Sequence, residues 1–206
     1  MFIMRKLDRV FYDRDSIIVA KELLGKVLVH KAGGEMTSAI IVETEAYMGI
    51  EDKAAHSYGG RRTPRVEVMY GPPGFSYVFT IYGLHCCFNV VTKEKGNPQA
   101  VLIRAVEPTE GVEHMARRRF SGSYGELTKI QRKSLSNGPG KLCAAMSINK
   151  ECNGLDLCGN SLYIENRNIG DFEIIEKKRV GIDYAEEAKD FLWRFYIKDN
   201  EHVSVK

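Results

Sequence analysis

The stretch Ile41-Val42-Glu43-Thr44-Glu45-Ala46-Tyr47 has the two-residue alternation of a strand with two different faces. Successive side chains of a strand point to opposite sides, so Glu43, Glu45 and Tyr47 share one face. Ile40, Val42, Thr44 and Ala46 share the other, which is apolar enough to lie on a core. Two carboxylates at i and i+2 stand roughly 6.5 Å apart along a strand, a spacing suited to acid/base hydrolysis of a glycosidic bond. A solvent-facing acidic stripe has the same pattern. Periodicity does not choose between Glu43 and Glu45 as the working group.

Working outward, Asp15-Ser16 opens an amphipathic helix carrying Ile17, Ala20, Leu23 and Leu24, with Gly25 where a C-terminal cap belongs. Residues 26–31 read as a strand, and Gly33-Gly34 as the turn into a longer strand over 37–47. Further strands are expected near 75–81, 86–92 and 100–106, joined by short polar or glycine-containing loops that favour antiparallel pairing. Helices follow at 111–120, 129–135 and after Gly138-Pro139-Gly140, the last with Leu142, Ala145 and Met146 on one face. Strands return near 161–164 and 172–175, then a short helix from Tyr184 and a strand over 193–198. The class expected is α+β, with one curved, mainly antiparallel sheet flanked by helices.

At 206 residues, 44% hydrophobic and 28% charged, the chain suits one domain spanning 1–206. No apolar run approaches the roughly 18 residues of a membrane span. The opening Met1-Phe2-Ile3-Met4-Arg5-Lys6 lacks the apolar region and cleavage site of a secretory signal. The five cysteines, two of them adjacent at Cys86-Cys87, form no C-x-x-C, which points to a reduced cytoplasmic protein without structural zinc. The net charge of +3 is unevenly spread: residues 111–150 hold eight Lys/Arg against two acids, and residues 151–206 eight against twelve. Such asymmetry fits one phosphate-facing surface, although an exposed helix gathers charge in the same way.

Several other residues invite a chemical reading. Phe75, Tyr77, Phe79, Tyr82 and Phe88 crowd one predicted hairpin. Tyr82, beside Gly83 at its tip, is placed to act as a wedge in a base stack, while aromatic faces elsewhere suit a flipped base or an ordinary sheet core. His56 is a ligand contact or a satisfied loop residue. Arg61, Arg62 and Arg65, in Gly59-Gly60-Arg61-Arg62-Thr63-Pro64-Arg65, make a basic loop suited to phosphates or to solvent. Arg104 interrupts the apolar run Val101-Leu102-Ile103-Arg104-Ala105-Val106 and so calls for a carboxylate partner or a bound anion. Gly138-Pro139-Gly140-Lys141 opens a helix whose free N–H groups and lysine suit a phosphate, or is a plain helix start.

Taken together, IVETEAYMG (41–49), EDKAAHS (51–57), GGRRTPR (59–65), IYG (81–83), VLIRAVEP (101–108), NGPGKLC (137–143) and the late RVGIDYA and WRFYI closely resemble the alkyladenine DNA glycosylase family, the mammalian-type 3-methyladenine DNA glycosylases. The segments occur in the family's order from about residue 10 to the end of the sequence, and their combination is specific where each alone is not. The resemblance implies a monofunctional, monomeric enzyme acting on double-stranded DNA that contains damaged purines, with no cofactor, metal or membrane. It also implies a protruding β-hairpin that inserts into DNA.

Residue by residue, the resemblance makes Glu45 the general base that activates a water against C1′ of an extruded nucleotide. Arg104 and the main-chain carbonyl of Val180 would help hold that water. Tyr47, His56 and Phe79 would form the base pocket, the His56 N–H reaching the purine's Watson–Crick edge. Asn89 would crowd the amino group of guanine, and Tyr82 would fill the gap left in the duplex. Arg61, Arg62, Thr63, Arg65 and Lys141 are the expected DNA contacts.

The chemistry fits these residue types. An anionic carboxylate stabilises a developing oxocarbenium ion while polarising water, and electron-rich rings favour a cationic alkylated base. Phe79 replaces the tyrosine of the mammalian members, so altered lesion preference is expected rather than lost activity. His85 and Cys86-Cys87 also depart from the mammalian pattern. Two other readings remain at this level: a lesion-binding protein that flips bases without cleaving them, and a carbohydrate hydrolase using Glu43 and Glu45.

Overall fold

The computed structural model describes residues 5–167 and 169–206; the part of the N-terminal reading that falls on residues 1–4 lies outside them. In chain order the elements are strand β1 (Arg5–Lys6), helices α1 (Arg9–Tyr12) and α2 (Ser16–Leu23), and strands β2 (Val27–Ala32), β3 (Glu35–Tyr47), β4 (Ser76–Ile81), β5 (His85–Thr92) and β6 (Gln99–Glu110). Helices α3 (Val112–Phe120), α4 (Lys129–Lys133) and α5 (Pro139–Ala145) follow, then strands β7 (Leu162–Asn166), β8 (Ile174–Lys177) and β9 (Arg194–Ile197). Single turns of 3₁₀ helix occupy several connections.

The nine strands form one sheet in the order β1-β7-β2-β3-β6-β5-β4, with β9 pairing both β3 and β8. All the described pairings are antiparallel, as the short connections predict for an α+β fold. Strand β3 is the spine. Its first half lies between β2 and β6, and its second half, Glu43 to Glu45, between β9 and β6. Both edges are therefore hydrogen-bonded through the acidic segment, which a solvent-facing stripe at a sheet margin would not require.

The β3–β6 register carries two compensating irregularities. Ile41 opposes Val106 and Glu43 opposes Ala105, leaving Val42 extra on β3; Thr44 then opposes Ile103, leaving Arg104 extra on β6. An extra residue re-aims the side chains around it. Arg104 shares the cleft face of β6 with Ala100 and Leu102, and its guanidinium contacts both Glu43 and Glu45.

Helix α2 begins where expected, the Asp15 side chain accepting the Ile17 N–H at 2.9 Å. Gly25 follows it at φ +79°, a left-handed conformation that glycine adopts without steric cost. Val19, Ala20 and Leu23 are buried, and the Thr44 hydroxyl donates to the Ala20 carbonyl at 2.8 Å. The apolar face of β3 thus lies on α2, leaving the acidic face for the site. Helix α5 buries Leu142, Cys143 and Ala145 against β5 and β6. Tyr12, Tyr77, Phe88 and Phe195 are the largest buried side chains, and the two phenylalanines each contribute on the order of 1.5–3 kcal/mol by leaving water.

Some boundaries differ from expectation. β3 starts two residues earlier, at Glu35, and β6 runs on to Glu110. The helix expected from Tyr184 is a 3₁₀ segment, Glu186–Asp190. β1 and α1 carry no periodic signal because they are too short to show one. No helix among the described residues is long and apolar enough to cross a membrane.

Candidate active site

A cleft of about 410 Å³ opens beside β3, β4, β5 and β6, within the roughly 300–1,000 Å³ of small-molecule sites. Tyr47, His56, Phe79, Tyr82, Asn89, Arg104 and Val180, separated in sequence by up to 133 positions, all line it. Glu45 does not line it. Its side chain has no exposed surface and sits behind the wall formed by Tyr47, Arg104 and Val180.

Three donors fix the Glu45 carboxylate. The Val180 N–H donates to Oε1 at 2.8 Å, the Tyr47 hydroxyl donates to Oε2 at 2.9 Å, and Arg104 Nη1 lies 3.3 Å from Oε1. Burial pushes this carboxyl above its ordinary range, while Arg104, the Val180 N–H and the Tyr47 hydroxyl pull it back. The group of Val180 that meets Glu45 is its main-chain N–H, where the expected contribution was its carbonyl. The acidic stripe is not solvated: Glu43 and Glu45 are both fully buried.

The aromatic wall is built on β4. His56 Nδ1 is hydrogen-bonded to the Tyr77 hydroxyl at 2.8 Å, and the His56 and Phe79 rings meet edge to face at 4.6 Å. Burial, with Arg65 and Arg61 nearby, lowers the His56 pKa to about 4, so the ring is neutral at physiological pH. Asn89 is buried, its amide donating to the Tyr77 carbonyl at 3.1 Å. Arg65, one of the expected DNA contacts, is exposed and stands with its guanidinium 5.1 Å from the centre of the Phe79 ring, at the cleft wall.

The remaining expected contacts lie outside the cleft. Arg61, Arg62 and Thr63 are exposed. Arg62 pairs with Glu67 at 2.5 Å, and Lys141 donates to Asn137 at 2.9 Å. At the β4–β5 tip, Tyr82-Gly83-Leu84 joins Ile81 to His85. Tyr82 is 91% exposed, in a left-handed conformation at φ +52°, and Leu84 is 82% exposed. His85 packs over Gly140, where an added Cβ would come within 3.1 Å of the imidazole's own Cβ. Cys87 lines the cleft, its thiol pushed up to about 11 by burial.

Sequence reasoning missed the pair that holds the two flanks of the cleft together. Arg179 and Asp52, both with fully buried side chains, meet through two contacts of 2.5 and 2.8 Å. Asp52 also accepts the N–H groups of Met48 and Ala54, anchoring the loop before His56. Arg179 immediately precedes Val180, donates to the Ala46 and Ala188 carbonyls, and stacks on Tyr47 and Trp193. The rule that a buried arginine needs a partner, applied to Arg104, would have flagged Arg179 had its burial been legible.

Comparison with known proteins matches the chain to one family. A family model described as Methylpurine-DNA glycosylase matches residues 10–201. A protein of Desulfitobacterium hafniense, provisionally named a 3-methyladenine DNA glycosylase, is 67% identical over 203 residues, 98% of this chain and 100% of its own length. A relative from Clostridium acetobutylicum with the same provisional name is 63% identical over 200 residues, 97% of this chain and 98% of its own. One from Alkaliphilus oremlandii is 56% identical over 201 residues, 98% of this chain and all of its own.

Proposed function

The chain belongs to the methylpurine-DNA glycosylase family, and from that premise we propose that it flips alkylated or deaminated purines out of duplex DNA and hydrolyses their N-glycosidic bond with a water activated by Glu45. The observation that carries this reading is the Glu45 carboxylate, buried directly behind the cleft and held by three residues of its wall, Tyr47, Arg104 and Val180. Glu45 takes a proton from the water as its oxygen bonds to C1′ and the C1′–N bond breaks. The base leaves with the bonding electron pair, neutralising the formal charge of an alkylated purine. Neutral leaving groups such as hypoxanthine need a proton from elsewhere in the site.

The residues around the cleft support the same division of labour. Phe79 and the neutral His56 offer an aromatic bed for a flat base, and Asn89 stands at its floor. Among the described residues the cleft is lined by two arginines and no lysine, which favours water over a Schiff base as nucleophile. Arg61, Arg62, Thr63, Arg65 and Lys141 are assigned to phosphates; Arg62 and Lys141 would exchange exposed intramolecular partners for them.

Duplexes carrying 3-methyladenine, 7-methylguanine, hypoxanthine or ethenoadenine test the proposal by release of free base. Release from at least one is expected, and none from any would sink the assignment. Tyr82, exposed at the hairpin tip, is assigned the gap in the duplex. An aromatic ring stacked on a base is worth about 1–3 kcal/mol by alanine substitution, so Tyr82→Ala should weaken lesion binding by about fivefold to a hundredfold. Unchanged binding would remove Tyr82 from the role of wedge.

A further inference from the structure

Arg104 is itself held in place from behind. Its three guanidinium nitrogens take different partners: Nε donates to Glu43 Oε1 at 3.2 Å, Nη1 faces Glu45 Oε1 at 3.3 Å, and Nη2 donates to the Ser204 hydroxyl at 3.3 Å. Glu43 is equally occupied. Its Oε1 also accepts from Arg194 Nη1 at 2.9 Å, and its Oε2 accepts the Ser204 main-chain N–H at 2.7 Å. Arg194 closes the circuit, donating to the Val205 carbonyl at 2.7 Å and to the Lys178 carbonyl at 2.8 Å, two residues before Val180. Ser204 therefore touches both members of the buried Arg104–Glu43 pair through different atoms, more than 150 residues from Glu43 in sequence.

We propose that Ser204 and Glu43 are positioning residues for the reaction, the segment 203–205 serving as a back wall that presents Arg104 to the Glu45 carboxylate. This rests on the reading of Glu45 as general base. A planar guanidinium shared between two buried carboxylates has alternative orientations, and an arginine turned wholly toward Glu43 would leave Glu45 without its cation. The Ser204 hydroxyl selects the orientation in which Nη1 faces Glu45, because it occupies Nη2 while Glu43 occupies Nε. The Ser204 N–H holds the second Glu43 oxygen away from Arg104. Small displacements of catalytic groups cost on the order of a hundredfold in rate, so a remote segment can govern the step without touching substrate.

The charged and titratable groups around Glu45 are Arg104, Glu43, Tyr47 and Cys87, with Arg194 beyond Glu43. Base release is to be followed in single turnovers at saturating enzyme, across pH, for Ser204→Ala, Ser204→Thr, Glu43→Gln and a chain truncated after His202, with Glu45→Gln alongside. Truncation should lower the rate about tenfold to a hundredfold with lesion-duplex binding within threefold of the parent. Ser204→Ala should fall in the same direction by less, and Ser204→Thr, which keeps hydroxyl and N–H, should restore the parent rate. Glu43→Gln removes an anion that raises the Glu45 carboxyl, so its acid limb should move to lower pH. Should the truncated chain not fold, the point variants decide alone. Parent rates and an unmoved acid limb in Ser204→Ala and Glu43→Gln would overturn the proposal, as would losses that follow thermal stability alone. Full activity in Glu45→Gln would instead remove the general-base reading beneath it.

Discussion

Glu45→Gln will reduce base release by a factor of about 10²–10⁴, the usual worth of a general base, while leaving lesion-duplex binding within about threefold. The amide fits the space of the carboxylate. With its oxygen toward the Val180 N–H and Arg104, its NH₂ faces the Tyr47 hydroxyl, which can rotate to accept. The three wall contacts thus survive in form, and the lost property is the ability to take a proton. Single-turnover release separates this from binding, and retention of the parent rate within tenfold would exclude Glu45 as the base. The same assignment fixes the sign of the pH profile. Burial raises the Glu45 carboxyl above its ordinary range, and the working form is deprotonated. Activity should therefore be lost as pH falls through a value higher than that of a free glutamate, and the limb should vanish in Glu45→Gln.

How much of this was legible in the sequence depends on how local each feature is. Strand β3, the hairpin carrying Phe79 and Tyr82, and helix α2 with its Asp15 cap are written in alternation, turn residues and capping, which short-range sterics enforce. The alternation of Glu43, Glu45 and Tyr47 also correctly separated a core face from a chemical face. It could not say that the chemical face is buried. That depends on β9 pairing with the second half of β3, on the chain around Val180 and on Ser204, all brought together from more than 130 residues away. The motif resemblance chose Glu45 over Glu43 without showing why two adjacent acids behave differently. The two acids differ in where they sit: Glu43 accepts hydrogen bonds from Arg104, Arg194 and the Ser204 N–H away from the cleft, whereas Glu45 lies directly behind the cleft wall, on Tyr47, Arg104 and Val180. Arg104 was half legible: its interruption of an apolar strand called for a carboxylate partner, while which carboxylates it meets depends on the pairing of β6 with β3.

The largest stability effect is expected at Asp52 and Arg179. Both side chains are wholly buried, so replacing one partner strands the other in a medium that solvates charge poorly. Breaking such a pair costs about 3–5 kcal/mol, which for a chain of this size is roughly 6–20 °C in Tm. Asp52→Asn should show this loss in thermal unfolding, while Arg62→Ala, which breaks an exposed, solvent-screened pair with Glu67, should leave the Tm close to that of the parent. Part of the Asp52→Asn loss should return when Arg179 is replaced by methionine as well, because the double variant strands no charge. Function should fall further than stability alone explains. Asp52 anchors the loop that carries His56, and Arg179 sets the position of Val180, whose N–H holds Glu45. Base release measured well below the Tm of Asp52→Asn should therefore remain depressed, and a variant as active as the parent at that temperature would reduce the pair to a purely structural one. The double variant separates the two roles most sharply: its stability should recover while its base release stays low, since methionine cannot donate to the Ala46 and Ala188 carbonyls that fix the segment leading into Val180.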